Sequence, residues 1–335
     1  ETDLYTAVLS TKGGTIQRFT LKQYKQFNQE DPVQVVDTTA GGTLSLSFTT
    51  PTRRQVDTRS LYFSADTDAD TVRVQDEAVS LTFAAPLGRG ELRQTYTFHP
   101  DDYDLGLSIQ QVNPASFVTR DGYEIAWHGG VPYSEGGDDE QEQQYSGLYA
   151  KNGEVIESIT LSGEEHSEKR VDGSVSWTAV KNKYFTAALM PNNPEHVRGA
   201  TLIGDKVAQA GGGVDVKNLS ARLQFPRPRG QSEVDQFHLY AGPIDYYSLA
   251  DYDRGLYGMV DYGWDWFEWI TKPLAKYLYI PMLTYLGGGL PEATVASLGL
   301  PGWLAEGIPY GFVVILMAVL IKTLVYPLTK SSYRS

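Results

Sequence analysis

Alternation of apolar and polar residues with a period of two runs through about the first 240 residues, and it constrains the fold more than any other feature. In the segment TLSLSFTT, Leu44, Leu46 and Phe48 fall on one face of an extended strand. Further runs of this kind are VSLTFAA, LRQTYTFH, YDLGLSIQQV, VIESITLS, WTAVKNKYFTAALM, ARLQF and DQFHLYAG, separated by turn-rich pieces such as TKGG, TRDG, VDGS and AGGGVD. Many strands with short polar connections predict a mainly β fold, a large antiparallel sandwich over residues 1–245.

The net charge of −13 is carried almost entirely by this β part. From Tyr262 onward the chain has five basic residues and four acidic ones, so the end of the chain is close to neutral. An acidic body repels phosphates, and nucleic-acid binding is therefore excluded. The absence of cysteine excludes a disulfide framework, a thiolate metal site and a cysteine nucleophile. An acidic body joined to a near-neutral, aromatic-rich end indicates attachment to a membrane.

Two short segments interrupt or follow the strands. The acidic run SEGGDDEQEQQ, from Ser134 to Gln144, is interpreted as a solvated, mobile loop, with a partner-binding or cation-binding role as the alternative. Residues 246–261 form a connecting segment that can fold as a short helix packed on the sandwich.

Residues 262–286 combine aromatic and lysine side chains in a way that is typical of a helix lying at the membrane surface. The segment is too charged for a span, and Pro273 is expected to interrupt the helix and Pro281 to end it. The alternative is a soluble amphipathic helix packed on the sandwich. Residues 287–307 are a Gly- and Pro-rich link in which one or two short helical turns are expected. The predicted membrane-interface anchors are Trp264, Trp266, Phe267, Trp269, Lys272 and Lys276.

An apolar segment follows, and residues 308–329 are predicted to form a transmembrane helix. The 21 residues from Ile308 to Leu328 would extend about 31 Å at roughly 1.5 Å per residue, enough to cross a hydrocarbon core. Lys330 and Arg334 come next, so residues 330–335 are expected in the cytoplasm and the β part outside. Lys322 lies inside this apolar segment. It either extends its ammonium group to the interface or faces a polar cavity made with other helices, and the chemistry leaves both open.

Two motifs beside this segment point to a family. The stretch VDYGWDWFEWITKPL at 260–274 and the stretch YPLTK at 326–330 closely resemble sequences of the Gram-negative YidC membrane protein insertases. Weaker similarity is found in LSTKGGTI at 9–16, NKYFTAALMP at 182–191 and LYAGP at 239–243. The resemblance covers the whole chain, and the chain is expected to be a piece of a longer protein.

This resemblance implies a periplasmic β-supersandwich, an interfacial amphipathic helix and the first transmembrane helix of a five-helix membrane core. It implies a membrane protein insertase and chaperone that needs no cofactor, no metal and no covalent catalysis. In the family, a hydrophilic groove carries a positive residue that attracts the polar or acidic tail of an incoming protein. Lys322 occupies this position, where the family most often has arginine, while Tyr326 and Pro327 shape the helix end and pack against further helices. The 287–307 link looks longer than in the family.

The resemblance also implies the partners and the location. The partners would be nascent inner-membrane proteins, the Sec translocon with its accessory subunits, and the phospholipid bilayer, with the protein itself a monomer. The location would be the bacterial inner membrane, multi-pass in the full-length protein, with residues 1–307 in the periplasm. Because the chain holds only the first core helix, it is not expected to insert proteins by itself.

The alternative function is a periplasmic sugar-binding or mutarotase-like β-sandwich anchored to the membrane. Such a site needs convergent histidine and carboxylate side chains. His99 in TFHPDDYD has aspartates nearby, but a turn after a strand explains this cluster more simply. His128 beside Trp127 could line a cleft, although a structural role is favoured. The sequence has neither the HExxH metal pattern nor the GxxxxGK[ST] phosphate loop, so no catalytic residue is predicted.

Overall fold

A computed structural model of the chain describes residues 1–136, 139–207, 215–250, 252, 254–260 and 268–332, without the side chains of 139, 268, 292, 324, 325 and 327–332. The chain divides into two compact units, Glu1–Met259 and Val260–Ser335, which we call the β unit and the helical unit.

The β unit is built from three antiparallel sheets. Its strands have these bounds: β1 Tyr5–Ser10, β2 Thr15–Lys25, β3 Pro32–Gln34, β4 Leu44–Thr49, β5 Gln55–Asp57, β6 Ser64–Ala65, β7 Val79–Leu87, β8 Gly90–Phe98, β9 Asp104–Val112, β10 Tyr123–His128, β11 Gly147–Asn152, β12 Val155–Ile159, β13 His166–Asp172, β14 Val175–Lys181, β15 Phe185–Pro191, β16 Gly199–Val207, β17 Val216–Phe225 and β18 Ser232–Pro243. The three-stranded sheet has the order β1-β2-β3, and the six-stranded sheet has the order β13-β16-β17-β10-β4-β5. The nine-stranded sheet has the order β12-β11-β14-β15-β18-β9-β8-β7-β6. This architecture confirms the predicted mainly β fold.

The apolar faces of the sheets share one core, which explains why the alternating pattern identified the strands. Leu44, Leu46 and Phe48 of β4 are all buried, and every second residue of β9 is buried as well. The core contains aliphatic and aromatic side chains from all three sheets, among them Phe19, Leu21, Leu92, Ile109, Ile125, Leu148, Val180, Leu202, Leu223 and Leu239. Burial of this apolar area is the main favourable term in the folding of the unit.

The predicted mobile acidic loop is wrong for most of its length. Helix α1 spans Asp139–Tyr145, and Glu142 within it is fully buried. The Glu142 carboxylate accepts hydrogen bonds from the backbone N–H of Ser134 and Glu135, at 2.6 and 2.8 Å, and from the Asn182 amide at 3.1 Å. These three hydrogen bonds to one buried carboxylate hold the acidic segment against the sandwich. Gly137 and Asp138 lie outside the described residues.

Lys217 on β17 fixes the other end of α1. It is 4% exposed, and its ammonium donates to the carbonyl oxygens of Gln143, Ser146 and Thr160. Lys217 thus ties the C-terminal end of α1, through Gln143 and Ser146, to Thr160, the residue after β12. The remaining helices of the β unit are short: α2 at Tyr246–Ala250, and 3₁₀ turns at Thr38–Ala40, Thr58–Ser60, Pro114–Ser116, Pro194–His196 and Leu256–Met259.

In the helical unit, residues 268–287 are continuously helical. Helix α3 spans Glu268–Leu274, and two π-helical segments follow at Ala275–Tyr279 and Met282–Gly287. Pro273 lies inside α3, and Pro281 lies between the π segments with helical backbone angles. The prediction that these prolines interrupt and end the helix was wrong. A π turn shifts the hydrogen-bond pattern by one residue, and such insertions accommodate groups that an α-helix would exclude.

The link contains two short helices, as predicted, and a long helix follows it. Helix α4 spans Glu292–Ser297, α5 spans Trp303–Glu306 and α6 spans Tyr310–Ser332. In the part of the chain that the structure describes, no helix combines the length and the apolar character that crossing a membrane requires. The transmembrane assignment of 308–329 therefore stays a prediction from the sequence.

Candidate functional site

The surface of α6 is largely apolar and largely exposed. Val313 and Met317, one turn apart, are buried at 1% and 9% exposure, and they form a narrow packed stripe. Around the rest of the helix, large apolar or aromatic side chains expose between 46% and 66% of their surface, namely Tyr310, Phe312, Val314, Ile315, Leu316, Val319 and Tyr326. A contiguous apolar surface of this kind is typical of a contact with lipid or with further protein.

Lys322 lies on the exposed side of α6. It follows Val313 by nine residues, which places it about 180° around the helix from the packed stripe at 3.6 residues per turn. Its side chain is exposed. Tyr326 is one turn further on, 60% exposed, and shares this face. Pro327 lies within α6, and its side chain is outside the described part. The predicted groove residue thus stands on an apolar face of α6 that the described residues leave exposed.

The described anchors of the 268–287 helix share one exposed side. Trp269 and Tyr277 are 75% and 73% exposed, and Lys272 and Lys276 lie between them at helical spacing and are also exposed. The Lys276 ammonium is 5.6 Å from the centroid of the Tyr277 ring, a cation–π contact. This grouping of aromatic rings and ammonium groups suits the headgroup level of a bilayer. The predicted anchors Trp264, Trp266 and Phe267 lie outside the described residues.

The two ends of the long link meet. The Ile308 N–H donates to the Leu286 carbonyl at 2.6 Å, and the Leu290 N–H donates to the Leu304 carbonyl at 2.8 Å. Gly307 has a φ of +76°, and a Cβ there would lie 2.4 Å from the Gly287 carbonyl oxygen, so only glycine fits this approach. Helix α6 consequently begins beside the end of the 268–287 helix, however long the link between them is.

Two histidines of the β unit, His99 and His128, were weighed in the sequence analysis. His99 directly follows β8 in a turn, as the sequence indicated. His128 lies on β10 between the hydroxyl groups of Ser45, at 2.9 Å, and Ser220, at 3.4 Å. Burial lowers the pKa of His128 to about 4, so the ring is neutral at pH 7. This supports the structural role that the sequence analysis favoured.

One cluster was not found from the sequence. His196, Glu233 and Asp235 come together in the β unit, although 37 residues separate the histidine from the nearer carboxylate. No short motif connects them, because the contact depends on the pairing of β18 within the nine-stranded sheet. Only the position of β18 and of the turn before β16 could have indicated it.

Comparison with known proteins agrees with this architecture. Residues 1–277 match the profile described as "YidC periplasmic domain". Two relatives named "Membrane protein insertase YidC" are each 31% identical over the whole chain, one from Chlorobaculum parvum and one from Chlorobium luteolum. The chain covers 53% of the length of each, so it spans about half the length of these relatives.

Among solved structures, a galactose mutarotase related enzyme from Lactobacillus acidophilus has a similar chain course. The two chains are 10% identical, the TM-score is 0.43, and the match covers 72% of this chain and 95% of the other. At this level of likeness, no function can be transferred.

Proposed function

Because the chain belongs to the YidC family of membrane protein insertases, we propose that the whole protein inserts and folds inner-membrane proteins, with Lys322 as the positive charge of its substrate groove. The observation that carries this proposal is the position of Lys322, exposed on the face of α6 opposite the packed Val313 stripe. Further helices of the whole protein can cover that face and leave a polar groove in which the Lys322 ammonium is the positive charge. The family is one of insertases, not of enzymes.

The mechanism follows from charge and apolar burial. An ammonium inside an apolar surface attracts the acidic or polar tail of an incoming chain, since the local dielectric constant is lower there than in water. The apolar segment of that chain then moves from water into lipid, and its burial supplies the free energy. No nucleotide or covalent intermediate is needed. Lysine attracts a carboxylate as a point charge but lacks the planar fork of arginine.

The test uses the full-length parent protein in proteoliposomes and a single-span substrate with an acidic tail. Lys322→Ala is expected to reduce insertion by at least about ten-fold, and Lys322→Arg to retain it, because only the charge matters. Lys12→Ala removes one exposed ammonium from the β unit and serves as the matched control. If Lys322→Ala inserts the substrate as well as the native protein does, the groove charge is not the function of this residue.

In the whole protein, residues 308–329 cross the inner membrane, and residues 1–307 lie in the periplasm. The run of apolar residues and the exposed apolar surface of α6 support this topology. Trp269, Lys272 and Lys276 lie at the outer interface, and Tyr326 and Pro327 pack against the further helices. The partners are nascent membrane proteins and the Sec translocon with its accessory subunits, and the protein acts as a monomer.

The topology can be tested by cysteine labelling, since these 335 residues contain no cysteine and any cysteine elsewhere in the full-length parent is first replaced by serine. Lys12→Cys and Ser335→Cys are introduced separately into the full-length parent, and intact spheroplasts are treated with a membrane-impermeant maleimide. The cysteine at position 12 is expected to react and the one at position 335 to stay protected until the membrane is opened. Labelling of both positions in intact cells would contradict the proposed crossing.

A further inference from the structure

Three side chains with metal-binding chemistry meet in the β unit. His196 ends the 3₁₀ turn Pro194–His196 that leads into β16, and Glu233 and Asp235 lie on β18. The Nδ1 atom of His196 is 2.9 Å from Oδ1 of Asp235, and Nε2 is 3.4 Å from Oε1 of Glu233. One ligand atom from each residue lies within 4.8 Å of the other two. The cluster therefore offers one imidazole nitrogen and two carboxylates to a common centre.

The cluster is shielded but accessible to an ion. The side chains of Asp235, Glu233 and His196 are 9%, 17% and 30% exposed. His196 and Asp235 line a cavity of about 150 Å³, and Asn192, Asn193 and Gln236 also line it. This volume can hold an ion together with several water molecules.

A buried amide lies beside the cluster. Gln111 is 1% exposed. Gln111 is the cross-strand partner of Glu233 in the pairing of β9 and β18, so the two side chains lie on the same face of the sheet. It also neighbours the hydroxyl of Tyr123. Gln111 and Tyr123 thus form a buried polar surrounding for the two carboxylates of the cluster.

We propose that His196, Glu233 and Asp235 bind a divalent transition-metal ion of the zinc type. Imidazole and carboxylate ligands in a set of three, with a water in the fourth position, are typical of zinc. The imidazole disfavours calcium and magnesium, which prefer ligand sets made of oxygen alone. Ligand atoms around a tetrahedral zinc are about 3.4 Å apart, and the three ligand atoms here lie within 4.8 Å of one another. Because Asp235 contacts Nδ1 and Glu233 contacts Nε2, ion binding requires the ring or one carboxylate to turn until a single nitrogen faces both.

The groups around the site support this assignment. The Tyr123 hydroxyl donates a hydrogen bond to the second oxygen of Asp235, which orients this carboxylate toward His196. Hydrogen bonds of this kind fix the direction of metal ligands in proteins. The ion would join β18 of the nine-stranded sheet to the turn that enters β16 of the six-stranded sheet. Its binding would therefore stabilise the packing of the two sheets.

The test titrates zinc chloride into the full 335-residue chain in detergent after removal of metals with a chelator, with calorimetry and thermal unfolding as readouts. We expect one zinc per chain and a rise in Tm of several degrees. His196→Gln and Glu233→Gln are each expected to weaken binding by about ten-fold or more. Both substitutions are close in size to the native side chains, and circular dichroism establishes that the variants are folded.

His166→Gln is the matched control, since His166 also contacts a carboxylate, Asp205 at 2.6 Å, but on an exposed part of β13. Native affinity in this control together with loss in the other two variants supports the site. The absence of zinc binding to the native chain would overturn the proposal, and so would equal affinity in the native chain and Glu233→Gln. Neither result bears on insertion, because the site does not involve α6.

Discussion

His128 shows how its place in the six-stranded sheet determines the charge of a side chain. Burial lowers its pKa from 6.5 to about 4, while the hydroxyl groups of Ser45 and Ser220 satisfy both ring nitrogens. Between pH 6.5 and 4 the unfolded chain takes up a proton at this histidine and the folded chain does not. The free energy of unfolding should therefore fall as the pH is lowered through this window, by up to about 3 kcal/mol from this residue.

This pH dependence is measured by urea unfolding at several values between pH 7 and pH 4. His128→Gln keeps the hydrogen-bonding capacity but cannot take up the proton, so its loss of stability in acid should be smaller than that of the native chain. Equal slopes for the native chain and His128→Gln would show that the prediction is wrong.

At the scale of elements, α1 depends on a single buried carboxylate. In Glu142→Ala the N–H groups of Ser134 and Glu135 and the amide of Asn182 lose their acceptor. We expect a loss of about 2–3 kcal/mol in the free energy of unfolding, because these donors are shielded from water. Glu140→Ala removes an exposed carboxylate from the same helix and should change stability little. Chemical denaturation of both variants checks this, and equal effects would contradict it.

The end of the 287–307 link, where Gly307 approaches Gly287, is a second element that requires a particular residue. Gly307 has φ +76° and ψ 166°, a conformation restricted almost entirely to glycine, while Gly302 has open space around it. Gly307→Ala in the full-length parent should lower stability by about 1–3 kcal/mol, and Gly302→Ala should not. Thermal unfolding in detergent measures both. A stable Gly307→Ala variant would show that the close approach to Gly287 is dispensable.

At the scale of the whole molecule, the four tryptophans that the structure describes divide between two environments. Trp127 and Trp177 are buried in the β unit, at 3% and 0% exposure, and Trp269 and Trp303 are 75% and 55% exposed. Vesicles of brominated phospholipid should therefore quench emission from the second pair and leave the first pair bright. The Trp269→Phe/Trp303→Phe variant should show less quenching than the native chain. If brominated and ordinary vesicles give the same emission, the helical unit does not contact lipid.

The strands could be predicted from the sequence because each depends on a pattern within one short segment. Leu44, Leu46 and Phe48 needed only their own spacing to identify a buried face. The position of Lys322 in an apolar helix was likewise readable from nearby residues. Contacts between residues that are distant in the sequence could not be predicted in this way. Glu142 is buried because Ser134 and Asn182 converge on it, and a single acidic run contains no record of a partner 40 residues away.

The prediction that prolines interrupt and end the 268–287 helix was wrong for a related reason. Pro281 is incompatible with an ordinary α-helical turn, and that local rule was applied correctly. The structure uses π turns on both sides of it, a solution that depends on how residues 268–287 pack and not on the proline alone. His196 and Glu233 were missed because strand pairing, which no spacing encodes, brings them together.

The hydrogen bond between Ile308 and Leu286 has a consequence for how this chain can vary during evolution. Because this bond joins the two ends of the 287–307 link, residues within the link can be gained or lost without moving the helices before and after it. Length there is then nearly neutral to selection, whereas a single added residue within α6 would rotate Lys322 by about 100°. The same property makes the tip between α4 and α5 a natural place to graft an affinity tag or a fluorescent reporter.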